Sequence, residues 1–217
     1  MKILSLSDEV DPLIYSPRVK ILFGGVDLVI GCGDLPSSYL DYVVGHLDKP
    51  FFYVEGNHVP QLPDGQAESG QSVHGGYDLH GKVVRHRGIL LAGVAGSLDY
   101  NRGPYQYSQS GMWLNTARLL PRLLFYRGVY RQRLDLFITH APPLGIHDQP
   151  DLPHRGIKAF LWLDRVFKPR LHLHGHIHYY RPDTVIETQL GPTLILNTYR
   201  YKLTEIDLPG WRGSRGG

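Results

Sequence analysis

Short apolar runs that end in turn residues recur along the chain. Ile3 to Ser7 leads into Asp8, and Asp27 to Ile30 leads into Gly31, Cys32, Gly33 and Asp34. Phe51 to Val54 is followed by Glu55, Gly56, Asn57 and His58, and Leu136 to Thr139 by His140. Leu171 to Leu173 runs into His174, Gly175, His176, Ile177 and His178. Each run has the length of a buried strand and stops at a turn signal, which predicts five strands. Between them, Ile157, Phe160, Leu161, Leu163, Val166 and Phe167 are spaced for one helical face, with Pro169 marking the exit. Met112 to Tyr130 is apolar at roughly helical spacing, and Pro121 starts or kinks a segment there. Residues 60–81, rich in Gly, Gln, Asp and Ser, read as a long surface loop. Thr184 to Asp207 alternates as hairpin strands would, and Pro209 to Gly217 reads as a frayed end. With no internal repeat and no long linker, the pattern is one α/β domain over residues 1–217. Its polar residues fall just past strand C-termini, where open α/β sheets carry their sites.

Composition narrows the picture modestly. A chain of 217 residues with 42% hydrophobic and 20% charged positions can bury a core without staples. The single cysteine, Cys32, excludes an internal disulfide framework and suits a reducing compartment. Few apolar residues precede Asp8, too few for a signal-peptide core, and no stretch approaches the ~18 apolar residues of a membrane span. The expectation is a cytoplasmic protein with no membrane partner. The net charge of +3 permits an anionic substrate without calling for nucleic acid. More telling are the twelve histidines, four of which alternate at 172, 174, 176 and 178.

The strand ends supply ligand-type atoms from Asp8, Asp34, Asn57 with His58, His140, and His176 with His178. Carboxylate, amide oxygen and imidazole suit Mn, Fe(II), Zn or Ni, and no thiolate belongs to the set. Taken singly, each has an ordinary reading. Asp8 can cap a helix, Asp34 and Asn57 can be turn residues, and His140 can be a loop histidine. The run from His174 to His178 can be a strand with three histidines on one face. Three histidines on one face are hard to explain as packing, and the joint pattern points to metal.

The motifs resemble those of the calcineurin-like metallophosphoesterase superfamily, whose order is D-x-H, G-D, G-N-H, a lone H, and G-H-x-H. Here they read Asp8-Glu9-Val10, Gly33-Asp34, Gly56-Asn57-His58, Thr139-His140 and Gly175-His176-Ile177-His178. The resemblance implies an α/β/β/α sandwich of two mixed sheets flanked by helices. It implies two divalent ions, Mn favoured over Fe, Zn or Ni, ~3.5–4 Å apart with a bridging hydroxide. Asp34 would bridge them. Asn57, His140 and His176 would complete one metal site, and Asp8 with His178 would hold the other. His58 would act on the substrate as the catalytic general acid. Val10 stands where the family has histidine and cannot ligate, so the first site is expected to be weak unless Asp11 or a nearby histidine fills the gap. The stretch from Thr139 to Gly145, with Pro153-His154-Arg155-Gly156, is similar to small members assigned to phosphodiester hydrolysis, cyclic nucleotides included. On that resemblance His154 and Arg155 are substrate-binding candidates.

The partner implied is a small phosphate ester, in one form a nucleotide, with no oligomeric state indicated. Two other functions compete: a scaffold of the same fold that has lost catalysis, which Val10 favours, and a nuclease, which the mild charge disfavours. Other features read blandly. Cys32 is a small core residue, and His172 and His174 pack or orient true ligands. His46, His74, His80, His86 and His147 are surface or loop residues. Arg118, Arg122, Arg127, Arg131 and Arg133 form a solvated helix face or contact a phosphate backbone. Tyr100, Tyr105 and Tyr107, beside Asn101 and Arg102, form an ordinary loop or roof a nucleotide base.

Overall fold

The structure, a computed structural model, describes residues 1–58, 73–181 and 183–212. The elements run β1 (Lys2–Ser7), α1 (Val19–Phe23), β2 (Leu28–Gly31), α2 (Ser37–Leu47), β3 (Phe51–Tyr53), β4 (Gly76–Asp78), β5 (Lys82–His86), β6 (Ile89–Val94), β7 (Ser97–Leu98), β8 (Gln106–Tyr107), α3 (Gln109–Ala117), α4 (Leu120–Val129), β9 (Leu136–Thr139), α5 (Lys158–Phe167), β10 (Leu171–His174), β11 (Glu187–Leu190), β12 (Thr193–Asn197) and β13 (Arg200–Glu205). All five strands expected from the apolar runs are present.

Two mixed sheets stack face to face. One has the order β13-β1-β2-β3-β4 and the other β11-β12-β10-β9-β6-β5. Strands β1 to β4 are parallel, as are β6, β9, β10 and β12, while β13, β11 and β5 are antiparallel edges. Strand alternation explains the layering. Ile3, Leu28 and Ile30 of one sheet and Leu91, Leu136, Ile138, Leu171 and Leu173 of the other point inward and make the central core. The alternate positions Leu4, Leu6 and Val29 face outward onto α1 and α2 through Val19, Phe23, Tyr39 and Val43. Leu90, Ala92 and Phe137 face the opposite way, onto Met112, Leu123, Phe160 and Leu163 of α3, α4 and α5. Both strand faces are buried, which is why these runs read as continuous apolar stretches.

Some boundaries differ from the sequence reading. Of the expected loop at 60–81, residues 60–72 lie outside the described residues, but 76–78 form β4 and extend the first sheet beside β3. Of the expected frayed end, 213–217 lie outside the described residues. The expected hairpin over the last third is only half a hairpin: β11 pairs with β12, but β13 leaves that sheet and pairs with β1. Pro121 lies in the first turn of α4, where its missing N–H costs nothing. Lys168 closes α5 at a positive φ of 50° ahead of Pro169.

Strand β10 carries polar residues on its outer face. His172 is fully buried, with Nδ1 2.8 Å from Asp164 Oδ2 of α5 and Nε2 2.9 Å from Thr139 Oγ1. Removing one partner of a buried hydrogen-bonded pair leaves the other unsatisfied, at a cost of about 1–3 kcal/mol. Asp164→Ala is therefore expected to lose stability on that scale in guanidinium unfolding, and Asp164→Asn, which keeps an acceptor for the imidazole N–H, considerably less. Equal losses in the two variants would show that packing, not the hydrogen bond, matters there.

Candidate metal centre

The site forms where the C-terminal ends of strands from both sheets meet. Asp8 follows β1, Asp34 follows β2, and Asn57 and His58 follow β3; His140 follows β9 and His176 follows β10. Three of these, Asp8, Asp34 and His176, have φ of 67°, 57° and 68°. That region is uncommon for residues with a Cβ and is enriched at functional sites. The glycines beside them are required by close approach. A Cβ on Gly56 would stand 1.9 Å from Asp34 Oδ1, and one on Gly33 would stand 2.5 Å from His140 Nδ1.

Four side chains converge. Around His140 Nε2 lie Asn57 Oδ1 at 2.9 Å, His176 Nδ1 at 3.1 Å and Asp34 Oδ2 at 3.3 Å. The ligand atoms of Asp34, His140 and His176 all lie within 4.8 Å of one another. Three of these four candidate ligands are oriented from behind. His140 Nδ1 donates to the Cys32 carbonyl at 2.8 Å, and His176 Nε2 donates to the Pro153 carbonyl at 2.7 Å. Those bonds leave His140 Nε2 and His176 Nδ1 facing inward, where each ring in its neutral form offers a lone pair. Asn57 Nδ2 donates outward to the Tyr100 hydroxyl at 3.1 Å, which turns its oxygen inward. Lone pairs gathered so closely in a buried place call for a positive charge among them. A divalent ion accepting nitrogen and oxygen donors fits that set.

Protonation follows the same demand. Burial would lower the His140 imidazole, but the Asp34 carboxylate outweighs it and pushes the group up to about 9. Burial would raise Asp34, but the His140 charge and the hydrogen bonds from His140 and His58 hold it well below the usual carboxylate range. Burial and the neighbouring His140 charge push His176 down to about 4. His58 Nδ1 sits 2.7 Å from Asp34 Oδ2, a bond that raises its pKa, and its Nε2 lies 2.9 Å from the Tyr100 hydroxyl. His58 is the exposed member of the group, its side chain 59% accessible.

The other expected half is built differently. Both oxygens of buried Asp8 accept the His176 backbone N–H at 3.0 Å. His178 Nε2 is 3.8 Å from Asp8 Oδ1, and its ring stacks on Tyr199 at 4.7 Å between centroids. Val10 packs against the core beneath α1 and α2. Asp11 does not replace the missing histidine, because it accepts the Leu13 N–H at 2.8 Å and pairs with Arg200 at 3.0 Å. Glu9 is taken by the Tyr199 hydroxyl and stands 3.7 Å from Arg200. Beside these residues, Val10, Pro12, Tyr15 and Pro36 line a pocket of about 550 Å³ that reaches Asp8 and Asp34.

Other sequence candidates fall as follows. His154 pairs with Asp151 at 2.6 Å, and its ring lies 5.5 Å from that of His176, at the rim of the centre. Arg155 donates to the Pro150 carbonyl and stays exposed. Tyr100 meets the centre through its hydroxyl, whereas Tyr105 and Tyr107 flank His80. His80 and His147, expected as surface or loop residues, lie in connecting segments, half-buried and hydrogen-bonded. His80 Nδ1 accepts the Ala95 N–H, and His147 lies between His174 Nε2 and Thr188 Oγ1, both at 2.9 Å. The expected three-histidine strand face breaks because β10 stops at His174.

No protein-family model matches the chain, and no curated protein matches it. Solved structures do. One superposes with a TM-score of 0.62 at 15% identity, covering 95% of this chain and 99% of its own. TT1561 of Thermus thermophilus superposes with a TM-score of 0.60 at 16% identity, covering 92% of this chain and 89% of its own. A double mutant of Vps29 from Entamoeba histolytica overlaps more loosely, with a TM-score of 0.44 at 12% identity over 95% of this chain and 87% of its own. At such identities the first two show the fold alone: this sandwich of two mixed sheets recurs, nearly end to end, in other proteins.

Proposed function

We propose that the chain is a metal-dependent hydrolase of phosphate esters, of the calcineurin-like metallophosphoesterase type, and that its substrates are small phosphodiesters. The observation that carries this is the convergence of Asp34, Asn57, His140 and His176 on one point beside the exposed ring of His58. The ion held there, Mn²⁺ by preference, would act as a Lewis acid on the phosphoryl group and on water. The chain's own residues supply the rest. Asp34 holds His58 by Nδ1 and favours its protonated form. That leaves Nε2, now against the Tyr100 hydroxyl, as the edge that meets a leaving oxygen. Water adds to phosphorus and releases a proton to solvent, the ester P–O bond breaks, and the departing alkoxide takes the Nε2 proton, which solvent then restores to His58. The apolar wall of Val10, Pro12 and Pro36 suits the uncharged second substituent of a diester.

A second reading, a scaffold without turnover, is favoured by one observation: Val10 removes a ligand, and Asp11 and Glu9 are committed elsewhere. A chromogenic phosphodiester assayed with and without Mn²⁺ separates the two. The wild type is expected to turn over with Mn²⁺, and His58→Ala to be slower by about 10²–10⁴-fold. Silence from both proteins, across several metals and with monoesters as well as diesters, would favour the scaffold.

The uneven halves also predict metal content. After dialysis, elemental analysis is expected to find one tightly held ion per chain, lost in His140→Ala, with a second retained only in Val10→His. Two equally tight ions in the wild type would contradict the unequal sites.

A further inference from the structure

We propose that the outer face formed by α3, α4 and α5 docks onto an anionic phospholipid surface. Helix α4 buries only Leu123. It turns Leu124, Phe125 and Val129 to solvent at 57%, 51% and 62% exposure, with Tyr130 after it at 59%. Leu114 of α3 adds 62%. Apolar exposure this concentrated on one short helix marks a contact surface.

The charge on the same face has one sign. Residues 100–134 contain no Asp or Glu. Arg118, Arg122, Arg127, Arg131 and Arg133 are all exposed. The single carboxylate of α5, Asp164, is buried against His172, and Asp135 is buried beside Arg170. Cations and apolar side chains interleaved on one helix are the pattern of an interfacial helix. The apolar groups enter the headgroup boundary, and the arginines stay among acidic headgroups.

Other occupants fit less well. A nucleic-acid backbone would be met by the arginines but would leave Leu124, Phe125 and Val129 without purpose. A second copy would set arginine against arginine across a two-fold axis. No helix among the described residues is long and apolar enough to cross a membrane, so the association is peripheral. It departs from the expectation of no membrane partner and stands independently of the hydrolase reading.

The test is co-flotation of the full chain with vesicles of phosphatidylcholine alone and of phosphatidylcholine mixed with phosphatidylserine. Binding to the mixed vesicles only is expected, weakened by about tenfold or more in two separate variants. One is Leu124→Ser/Phe125→Ser/Val129→Ser, and the other is Arg122→Gln/Arg131→Gln/Arg133→Gln. All six positions are exposed, and unchanged thermal unfolding would verify that both variants fold. No binding to mixed vesicles overturns the proposal. So does binding that only the arginine variant loses and that oligonucleotides compete away, which would indicate a nucleic-acid surface. A dimer in sedimentation that the serine variant dissociates, with no lipid binding, would assign the face to self-association instead.

Discussion

The centre depends on the hydrogen bond from His140 Nδ1 to the carbonyl of Cys32. His140 follows β9 in the six-stranded sheet, and Cys32 follows β2 in the five-stranded one, so this bond of 2.8 Å ties the two sheets together at their shared edge. It also selects the tautomer, since a ring that donates from Nδ1 presents Nε2 to Asn57, His176 and Asp34. The Cys32 carbonyl is itself held in place, because the Cys32 N–H donates to Leu6 at 2.8 Å. Cysteine contributes here through its backbone. Its buried thiol, pushed up to about 12 by desolvation, is inert filling in the inter-sheet core.

From that bond the two halves of the site diverge. On the His140 side every ligand-type residue is held by a second contact: His140 by Cys32, His176 by Pro153, Asn57 by Tyr100 and Asp34 by the His58 backbone N–H. Pre-orientation of this kind would lower the cost of ordering the site around an ion. On the Asp8 side the contacts run the other way. The Asp8 carboxylate is already bonded to the His176 backbone, Asp11 to Arg200, and His178 lies flat on Tyr199. An ion there would compete with bonds that are already made. The weakness suggested by Val10 is therefore reinforced by neighbours whose roles no motif announces.

The strands and the strand-end residues were legible because strands buried on both faces give unbroken apolar runs, and their exits carry Gly, Asp, Asn or His. The hairpin of β5 and β6 falls outside the predicted elements. Its turn is Arg87-Gly88, both at positive φ, and a two-residue turn with Gly between Val83-Val84 and Ile89-Leu90-Leu91 was a usable signal. The crossing of β13 to the first sheet had no local signal, since alternation is the same whichever partner a strand takes. Tyr100, expected in an ordinary loop or as a roof over a base, meets the centre through its hydroxyl. Only the fold brings it to Asn57 and His58, some forty residues earlier in the chain.

The histidine run from 172 to 178 shows how one residue type serves two physical ends. His172 and His174 alternate with Leu171 and Leu173, so while the strand lasts they must face the α5 layer. A buried imidazole there is held by neutral partners or a buried carboxylate. His174 is kept uncharged by burial and shares its Nε2 with His147, itself pushed down to about 4. Gly175 and the left-handed His176 then break the alternation. His176 turns into the centre, and His178 emerges beside Tyr199. A Cβ on Gly175 would stand 2.6 Å from Asp8 Oδ2, so the break falls where only glycine lets the chain pass the carboxylate. Without that break the later histidines would continue the strand's alternation, and the centre would lack one of its nitrogen donors.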